Sequence, residues 1–93
     1  MIRRFRHKGL RSLYAAGSGS GVPPEQVKRL RRILGVLDSA SSPADLQGLP
    51  GLRPHPLRGG REGYWAVAVT GNWRIVFRFQ GEDVLDLDLV DYH

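Results

Sequence analysis

The stretch GYWAVAVTGNWRIVFRFQGEDVLDLDLVDYH, residues 63–93, carries the pattern that decides the fold. Three runs within it, at 64–69, 73–79 and 84–90, are rich in aliphatic and aromatic residues and alternate in side-chain character, with turn-forming residues between them. This pattern predicts three β-strands joined by tight turns into an antiparallel meander.

The predicted strands have an apolar face and a polar face. The residues expected on the buried face of the second and third strands are Ile75, Phe77, Phe79, Leu85, Leu87 and Leu89. Asp86 and Asp88 would point to the other face, where we interpret them as ion-pair partners of arginines on the neighbouring strand rather than as metal ligands. Those arginines are Arg74 and Arg78. Such a sheet packs helices on its apolar face and leaves the other face open.

The first half of the chain predicts two helices. Apolar residues recur at helical spacing through 7–16, and again through 24–37, where proline and Glu25 mark the helix start. Between them, Gly17-Ser18-Gly19-Ser20-Gly21 predicts a flexible connector, because no Gly-Lys-Ser/Thr follows to complete a phosphate loop. Residues 2–5 are expected to join the sheet as a short edge strand.

The segment between the second helix and the meander predicts irregular structure. Ser42 is expected to cap a single helical turn that Leu46 and Leu49 anchor to the core. Residues 52–57, LRPHPL, are expected to be extended, because the residue before a proline is kept out of the helical region. The predicted fold class is α+β, with two N-terminal helices packed on one face of a mainly antiparallel sheet, in a single domain over residues 1–93.

Composition limits the classes to which the protein can belong. A chain of 93 residues that is 41% hydrophobic can form one core but not two domains. The absence of cysteine excludes disulfides and thiolate zinc sites. No apolar run is long enough for a membrane span, and no apolar segment follows the basic N-terminus as in a signal peptide. We therefore expect a cytoplasmic protein without a membrane partner.

Positive charge is concentrated at the N-terminal side. The net charge is +5, to which residues 1–37 contribute +8 and the rest −3. This density indicates a polyanionic partner, either nucleic acid or the ribosome, or an acidic protein, although a solvated helix surface has the same pattern. The candidate RNA- or ribosome-binding residues are Arg3, Arg4, Arg6, Lys8, Arg11, Lys28, Arg29, Arg31 and Arg32.

A second group of residues, mostly near the C-terminus, could cleave RNA without a metal. Such cleavage needs a base for the ribose 2′-hydroxyl, a cation for the charge on phosphorus and an acid for the leaving oxygen. Histidine can exchange protons near neutral pH, whereas arginine supplies only charge. The candidates are His55, Arg58, Arg74, Asp91, Tyr92 and His93. From spacing alone, a structural role for His55 beside its two prolines stays open.

Several blocks along the whole chain resemble the HigB toxins, also called plasmid maintenance system killer proteins, of the RelE superfamily. The blocks are MIRRFRHKGL at 1–10, LRPHPL at 52–57, GYWAV at 63–67, GNWRI at 71–75 and VDYH at 90–93. The resemblance implies the compact RelE-like fold and a toxin of a type II toxin–antitoxin module. It also implies a ribosome-dependent endoribonuclease that cuts mRNA in the A site, with no metal and no cofactor.

The resemblance assigns roles to particular residues. It puts the family's catalytic histidine on His55 and the arginine of its Gly-Asn-Trp-Arg block on Arg74. Its C-terminal Asp-Tyr-His corresponds to Asp91, Tyr92 and His93. Arg58 stands where the family typically has lysine, so the charge is kept but proton donation from this position is excluded.

The resemblance also implies partners. These are a HigA-type antitoxin with a helix-turn-helix, the 70S ribosome with its mRNA, and operator DNA only through the antitoxin complex. Three alternatives stay open: a toxin of the same fold that inhibits by binding without cutting RNA, a ribosome-independent endoribonuclease, and a small basic binding module with no toxicity. The terminal Asp-Tyr-His together with His55 and Arg74 favours an enzyme, because a toxin that only binds has no need of them.

Overall fold

The computed structural model describes residues 1–47 and 49–92, and in this part of the chain two α-helices accompany a four-stranded sheet. The elements are α1 (Lys8–Ala16), α2 (Val27–Ser39), β1 (His55–Pro56), β2 (Tyr64–Ala68), β3 (Trp73–Gln80) and β4 (Asp83–Asp91). Single 3₁₀ turns precede and follow α2. The α+β prediction is confirmed. No helix in the described residues has the length and apolar character needed to cross a bilayer.

The sheet has the strand order β1-β2-β3-β4, and every neighbouring pair is antiparallel. This confirms the predicted meander. The N-terminal segment contributes two isolated parallel bridges to β4, Ile2 with Val84 and Phe5 with Leu87, rather than a regular edge strand. The segment thereby covers backbone groups along the outer edge of β4, which would otherwise be free to pair with another chain.

The core lies between the helices and one face of the sheet. Its largest fully buried apolar side chains are Phe77, Leu10, Leu30, Ile33, Leu37, Leu46, Ile75 and Leu87. Trp65 and Trp73 are partly buried and pack against this cluster. Because the helices cover only this face, the opposite face of the sheet stays available for a ligand.

A β-bulge changes the alternation that the sequence predicted for β4. The register between β3 and β4 shifts between Val76 and Arg78, and the extra residue lies on β4, where Asp86 has a φ of 60°. One inserted residue makes the side chains before it occupy the faces opposite to those that alternation predicts from the side chains after it. Val84 therefore belongs to the core cluster, while Leu85, although buried, does not. The prediction for Leu85 was wrong.

Two further predictions about the segment after α2 need correction. Leu46 is fully buried, but Leu49 is 37% exposed and does not anchor the turn. The side chain of Ser42 makes no capping bond; instead the Asp45 carboxylate accepts a hydrogen bond from the Ser41 backbone N–H at 2.7 Å. The Asp45 backbone N–H, which the Ser42 hydroxyl was expected to cap, donates to the Ser42 backbone carbonyl at 3.1 Å, and this leaves the hydroxyl without a capping role.

The glycine-rich connector is packed against α1. A Cβ atom placed on Gly9 would overlap the carbonyl group of Gly21, and one placed on Gly21 would lie 2.8 Å from the Gly9 Cα. Two backbones meet there at a distance that only glycine permits. The prediction of a flexible connector therefore missed this close contact, which holds the loop on the start of the helix.

Candidate active site

A cavity of about 300 Å³ beside β1 brings His55 and Arg74 to the same place. Its remaining lining residues are Arg53, Pro54 and Ala68. His55 pairs with Ala66 of β2, and β2 pairs in turn with β3, so the antiparallel ladder carries the histidine toward Arg74. Proline on each side of His55 restricts the backbone that holds its exposed ring.

The guanidinium group of Arg74 is fixed at the turn between β2 and β3. Its Nη1 donates to the carbonyl oxygens of Gly71 and Trp73, both at 2.8 Å. Within residues 1–47 and 49–92 its Nε and Nη2 have no hydrogen-bond acceptor. An arginine keeps its charge at any physiological pH. Arg74 therefore offers a fixed positive charge, and the N–H groups of its Nε and Nη2 can donate hydrogen bonds to a phosphate.

The C-terminal end of β4 comes to the same turn. The backbone N–H of Tyr92 donates to the carbonyl of Asn72 at 2.9 Å, and Asp91 pairs in register with Trp73. Both Asp91 and Tyr92 are half-buried. Two of the predicted C-terminal residues thus lie at the end of the sheet where Arg74 is held.

The remaining two catalytic candidates are Arg58 and His93. Arg58 is exposed in the loop between β1 and β2 and is not part of the lining of the cavity that His55 and Arg74 share. His93 lies outside the described residues.

Two arginines near this site were not selected from the sequence. Arg61 Nη1 lies 3.5 Å from the Tyr92 hydroxyl, and Arg53 lines the cavity with His55. The extended backbone predicted for Arg53, the residue before Pro54, was wrong, since its φ is 49°. This conformation is uncommon for a residue other than glycine and often marks functional sites. Arg53 lies within the LRPHPL segment and Arg61 in the loop that follows it, so a search for cations in this segment and its neighbouring loop could have found both.

The candidate RNA-binding residues divide into two groups. Four make contacts within the protein: Arg3 with Asp83 at 3.3 Å, Arg4 with Asp86 at 2.6 Å, Arg31 with the Gly17 carbonyl at 2.7 Å, and Arg29 with carbonyls including that of Gly51 at 2.8 Å. The other five are exposed and form no ion pair with any described residue: Arg6, Lys8, Arg11, Lys28 and Arg32. Arg29 in particular links α2 to the sheet, so its first role is structural.

The ion pairs on the open face of the sheet differ from those predicted. Asp86 binds Arg78 at 2.8 Å as expected, and also Arg4 of the N-terminal segment. Asp88 instead accepts a hydrogen bond from the Leu89 backbone N–H at 3.0 Å, and Arg74 binds carbonyls. The predicted pairing of Arg74 was therefore wrong, because its side chain turns back onto its own β-turn. Among the described residues, no three His, Cys, Asp or Glu side chains gather as metal ligands.

The two arginines make Asp86 a stronger acid. The hydrogen bond from Arg4 and then that from Arg78, against the opposing effect of burial, lower the pKa of Asp86 from 3.8 to about 2. A carboxylate with a lowered pKa in the folded state stabilises the fold above its unfolded pKa, and this contribution disappears as the pH falls through the folded value. The Asp86 contribution should therefore be complete above about pH 4 and lost near pH 2.

Asp86→Asn is accordingly expected to lower the free energy of unfolding by about 1–2 kcal/mol at pH 7, since charge-assisted hydrogen bonds are lost but Arg4 is largely exposed. Urea unfolding at several pH values should show this difference shrinking below pH 4. Asp83→Asn, which removes exposed ion pairs of the same strand, should cost less than about 0.5 kcal/mol. A difference that stays constant down to the lowest accessible pH would contradict the role of the Asp86 charge.

Comparisons with known proteins now identify the family. The family model described as the RelE-like toxin of type II toxin–antitoxin system HigB matches residues 3–93. Endoribonuclease HigB of Proteus vulgaris is 43% identical over 93 residues, covering 100% of both chains. These two findings confirm the resemblance on which the site assignments depend.

Solved structures agree on the fold. A mutant of YafQ from E. coli aligns with a TM-score of 0.63 at 15% identity, covering 98% of this chain and 91% of that chain. YafQ from E. coli strain BL21(DE3) aligns with a TM-score of 0.58 at 14% identity and the same coverage. At this identity the likeness concerns the fold alone. Taken with the family match over nearly its whole length, the chain belongs to the HigB-like toxins, the RelE-like toxins of type II toxin–antitoxin systems.

Proposed function

We propose that this toxin is a ribosome-dependent endoribonuclease that cuts mRNA in the A site by attack of a ribose 2′-hydroxyl on the adjacent phosphodiester. The name of the Proteus vulgaris relative, which is 43% identical over the whole chain, supports the endoribonuclease class. The observation that carries the proposal is the cavity that His55 and Arg74 share at the end of the sheet where Tyr92 lies.

The proposed reaction forms a bond between the 2′-oxygen and phosphorus and breaks the bond between phosphorus and the 5′-oxygen. One group takes the proton of the 2′-hydroxyl, and a second gives a proton to the departing 5′-oxygen. His55 and Tyr92, with His93, are the proton-exchanging candidates. Arg74 stabilises the negative charge that develops on phosphorus.

The remaining members of the proposed catalytic set act through charge and orientation. Arg58 has a permanent charge on an exposed loop and would attract the RNA backbone without exchanging a proton. Asp91, next to Tyr92 at the end of β4, would orient its neighbours in the site. No step in this scheme uses a metal or an organic cofactor.

Ribosome binding would use the exposed cations that no described carboxylate neutralises. Arg6, Lys8 and Arg11 lie at the start of the chain and on α1, while Lys28 and Arg32 lie on α2. Contacts with phosphates release counterions and therefore weaken steeply as salt is added. The arginines already engaged within the fold, Arg29 above all, would contribute less to this affinity.

Membership of a type II system implies an antitoxin partner. We infer that this partner is a HigA-type protein with a helix-turn-helix that neutralises the toxin and carries it to operator DNA. The toxin would then read no DNA sequence by itself. Because the proposed target is mRNA on the 70S ribosome, we expect the toxin to act in the cytoplasm.

The test is to map the ends of mRNA fragments after incubation with programmed ribosomes, with naked mRNA in parallel. We expect cleavage on ribosomes only and a 2′,3′-cyclic phosphate on the upstream fragment, the product of 2′-hydroxyl attack. Arg74→Ala should slow the cleavage by about 10²- to 10³-fold, the usual effect of removing one group that stabilises the transition-state charge.

Other results would redirect the assignment. Equal cleavage of naked mRNA would make the toxin a ribosome-independent endoribonuclease. Ribosome binding without any cut fragment would make it an inhibitor that acts by occupancy. An Arg74→Ala variant that folds and cuts at the normal rate would remove Arg74 from the catalytic set.

A further inference from the structure

The side chain of Arg29 joins two segments that form the candidate active site. Its Nη2 donates to the Gly51 carbonyl at 2.8 Å and to the Ala68 carbonyl at 3.3 Å, and its Nε donates to the Val69 carbonyl at 3.1 Å. Gly51 directly precedes the LRPHPL segment, whereas Ala68 and Val69 lie where β2 ends. One guanidinium group of α2 therefore holds together two parts of the chain that are distant in sequence.

Ala68 connects these bonds to the catalytic candidates. It lines the cavity that His55 and Arg74 share, and it pairs in register with Arg74. Its backbone N–H donates to the Leu52 carbonyl at 2.7 Å, so a backbone bond also ties it to the start of the LRPHPL segment. A displacement at Ala68 would therefore be passed to Arg74 and, through Leu52, to the segment that carries His55.

The turn between β2 and β3 receives a second side chain from the start of α2. Gln26 is 1% exposed, and its Nε2 donates to the Thr70 hydroxyl at 3.2 Å. The next residue, Gly71, provides a carbonyl that holds Nη1 of Arg74 at 2.8 Å. In the described part of the chain the Gln26 Oε1 has no hydrogen-bond partner, and an unpaired buried oxygen lowers stability. The bond to Thr70 therefore explains this buried amide better than stability does.

Arginine suits position 29 by its shape as well as its charge. Its planar fork directs Nε and Nη2 to separate acceptors, whereas lysine donates from a single nitrogen on a flexible stem. A Cβ atom on Gly51, whose φ is 80°, would lie 3.2 Å from Nη2, so the guanidinium group lies close against this glycine. None of the ion pairs among the described residues involves Arg29. Its bonds therefore fix backbone rather than neutralise a carboxylate.

We propose that Arg29 is a positioning residue for RNA cleavage, which together with Gln26 holds the segments of His55 and Arg74 at the separation that the reaction needs. This inference rests on the proposed function, since it concerns the same catalytic site. In this role neither side chain of α2 touches the RNA or exchanges a proton. Reaction rates are sensitive to such geometry, because a misplacement of about 1 Å caused by a distant change can slow a reaction by about 10²-fold.

Single-turnover cleavage on programmed ribosomes tests the proposal, because it separates the rate at saturating toxin from the affinity. Arg29→Gln should slow the saturated rate by about 10- to 10²-fold. The affinity is measured with mRNA that carries 2′-deoxyribose in the A-site codon and cannot be cut. It should change by less than about threefold, because Arg29 is engaged within the protein and contributes little to phosphate binding.

Arg29→Lys distinguishes position from charge. Lysine keeps the positive charge but cannot reproduce the three bonds, so this variant should be as slow as Arg29→Gln. Arg32→Gln removes the same charge from the exposed surface of α2 and should weaken the affinity for the ribosome. Full recovery of the cleavage rate by Arg29→Lys would overturn the proposal, since charge alone would then account for Arg29.

Gln26→Leu separates positioning from stability. Leucine removes the unpaired oxygen, and the exposed Thr70 hydroxyl can bond to water, so the free energy of unfolding should not fall. The saturated rate should nevertheless fall by at least about threefold. Val84→Ala is the converse control: Val84 is fully buried on β4 at the end away from Arg74, so this variant should lose stability and cleave at the normal rate. Rates that simply follow stability across these variants would overturn the proposal.

Backbone amide NMR signals test the positioning without any RNA. Arg29→Gln should shift the signals of Arg53, His55 and Arg74, and Gln26→Leu should shift that of Arg74. Signals that stay unmoved in both variants would overturn the inference whether or not the toxin cuts RNA.

The same variants separate failure of this inference from failure of the proposed function. Normal cleavage by every Arg29 and Gln26 variant would overturn the inference and leave the endoribonuclease in place. An unmodified toxin that cuts no RNA would overturn the proposed activity, while shifted signals would still support the link from α2 to the two segments.

Discussion

His55→Ala is expected to slow mRNA cleavage on ribosomes by about 10²- to 10⁴-fold, the usual contribution of a general acid or base. The ring is exposed, so its removal should not disturb the core. The measurement is the single-turnover rate of cleavage on programmed ribosomes, accompanied by a far-ultraviolet circular dichroism spectrum. Binding to the ribosome should stay close to that of the unmodified toxin, because the charge of the binding surface is unchanged.

His7→Asn is the matched control for this variant. His7 caps α1, where its Nδ1 accepts a hydrogen bond from the Leu10 backbone N–H at 3.1 Å. Asparagine is among the best residues at a helix N-cap, so the fold should be retained. Cleavage by His7→Asn should continue at the normal rate. If His55→Ala also cleaves within about threefold of that rate, His55 is a structural histidine of the proline segment and not a proton-exchanging group.

Phe77→Ala is expected to lower the free energy of unfolding by about 3–5 kcal/mol. Phe77 is fully buried at the centre of β3, and the edge of the Phe79 ring lies near it, with 5.7 Å between ring centroids. For a domain of this size the total stability is only about 5–15 kcal/mol, so the variant would approach the limit of folding. The midpoint of urea unfolding measures the loss, with the slope checked for an unchanged denatured state.

Phe77→Leu controls for the loss of a large side chain at this position. Leucine fills much of the same space and should restore most of the stability, leaving a cost of about 1–2 kcal/mol. A Phe77→Ala variant that loses no more stability than the leucine variant would mean that the structure collapses into the cavity, and that the centre of β3 is less tightly packed than the full burial of Phe77 indicates.

Local patterns were sufficient for most of the fold. Helical spacing predicted α1 and α2, and alternation predicted β2, β3 and β4, because each depends on neighbouring residues in one element. The error at Leu85 came where a distant part of the chain intervenes, whereas those at Ser42 and Arg74 arose from hydrogen bonds to neighbouring residues. At the β-bulge, Asp86 forms ion pairs with Arg4 and with Arg78, and no local sequence pattern predicts them. The bulge also places Leu85 on the face opposite to the one that alternation predicted.

The spatial arrangement of the candidate site could be predicted less completely from the sequence than the fold could. Motif resemblance selected His55 and Arg74, but their meeting in one cavity depends on the register of three strands. Arg61 was missed because its relevance comes from its approach to Tyr92 across the sheet. Arg29 was selected for its charge, yet its hydrogen bonds to carbonyls give it a structural role that charge alone does not reveal.

By itself, then, the sequence determined the fold class, the membership of the HigB-like toxins and the identity of the catalytic candidates, because periodicity and motif are properties of short segments. Only the tertiary structure decided which charged side chains form ion pairs or hydrogen bonds within the protein, which face Leu85 occupies and which residues line the cavity that His55 and Arg74 share. Strand register and ion pairing between distant residues are set by the cooperative packing of the whole chain, and no short segment contains that information.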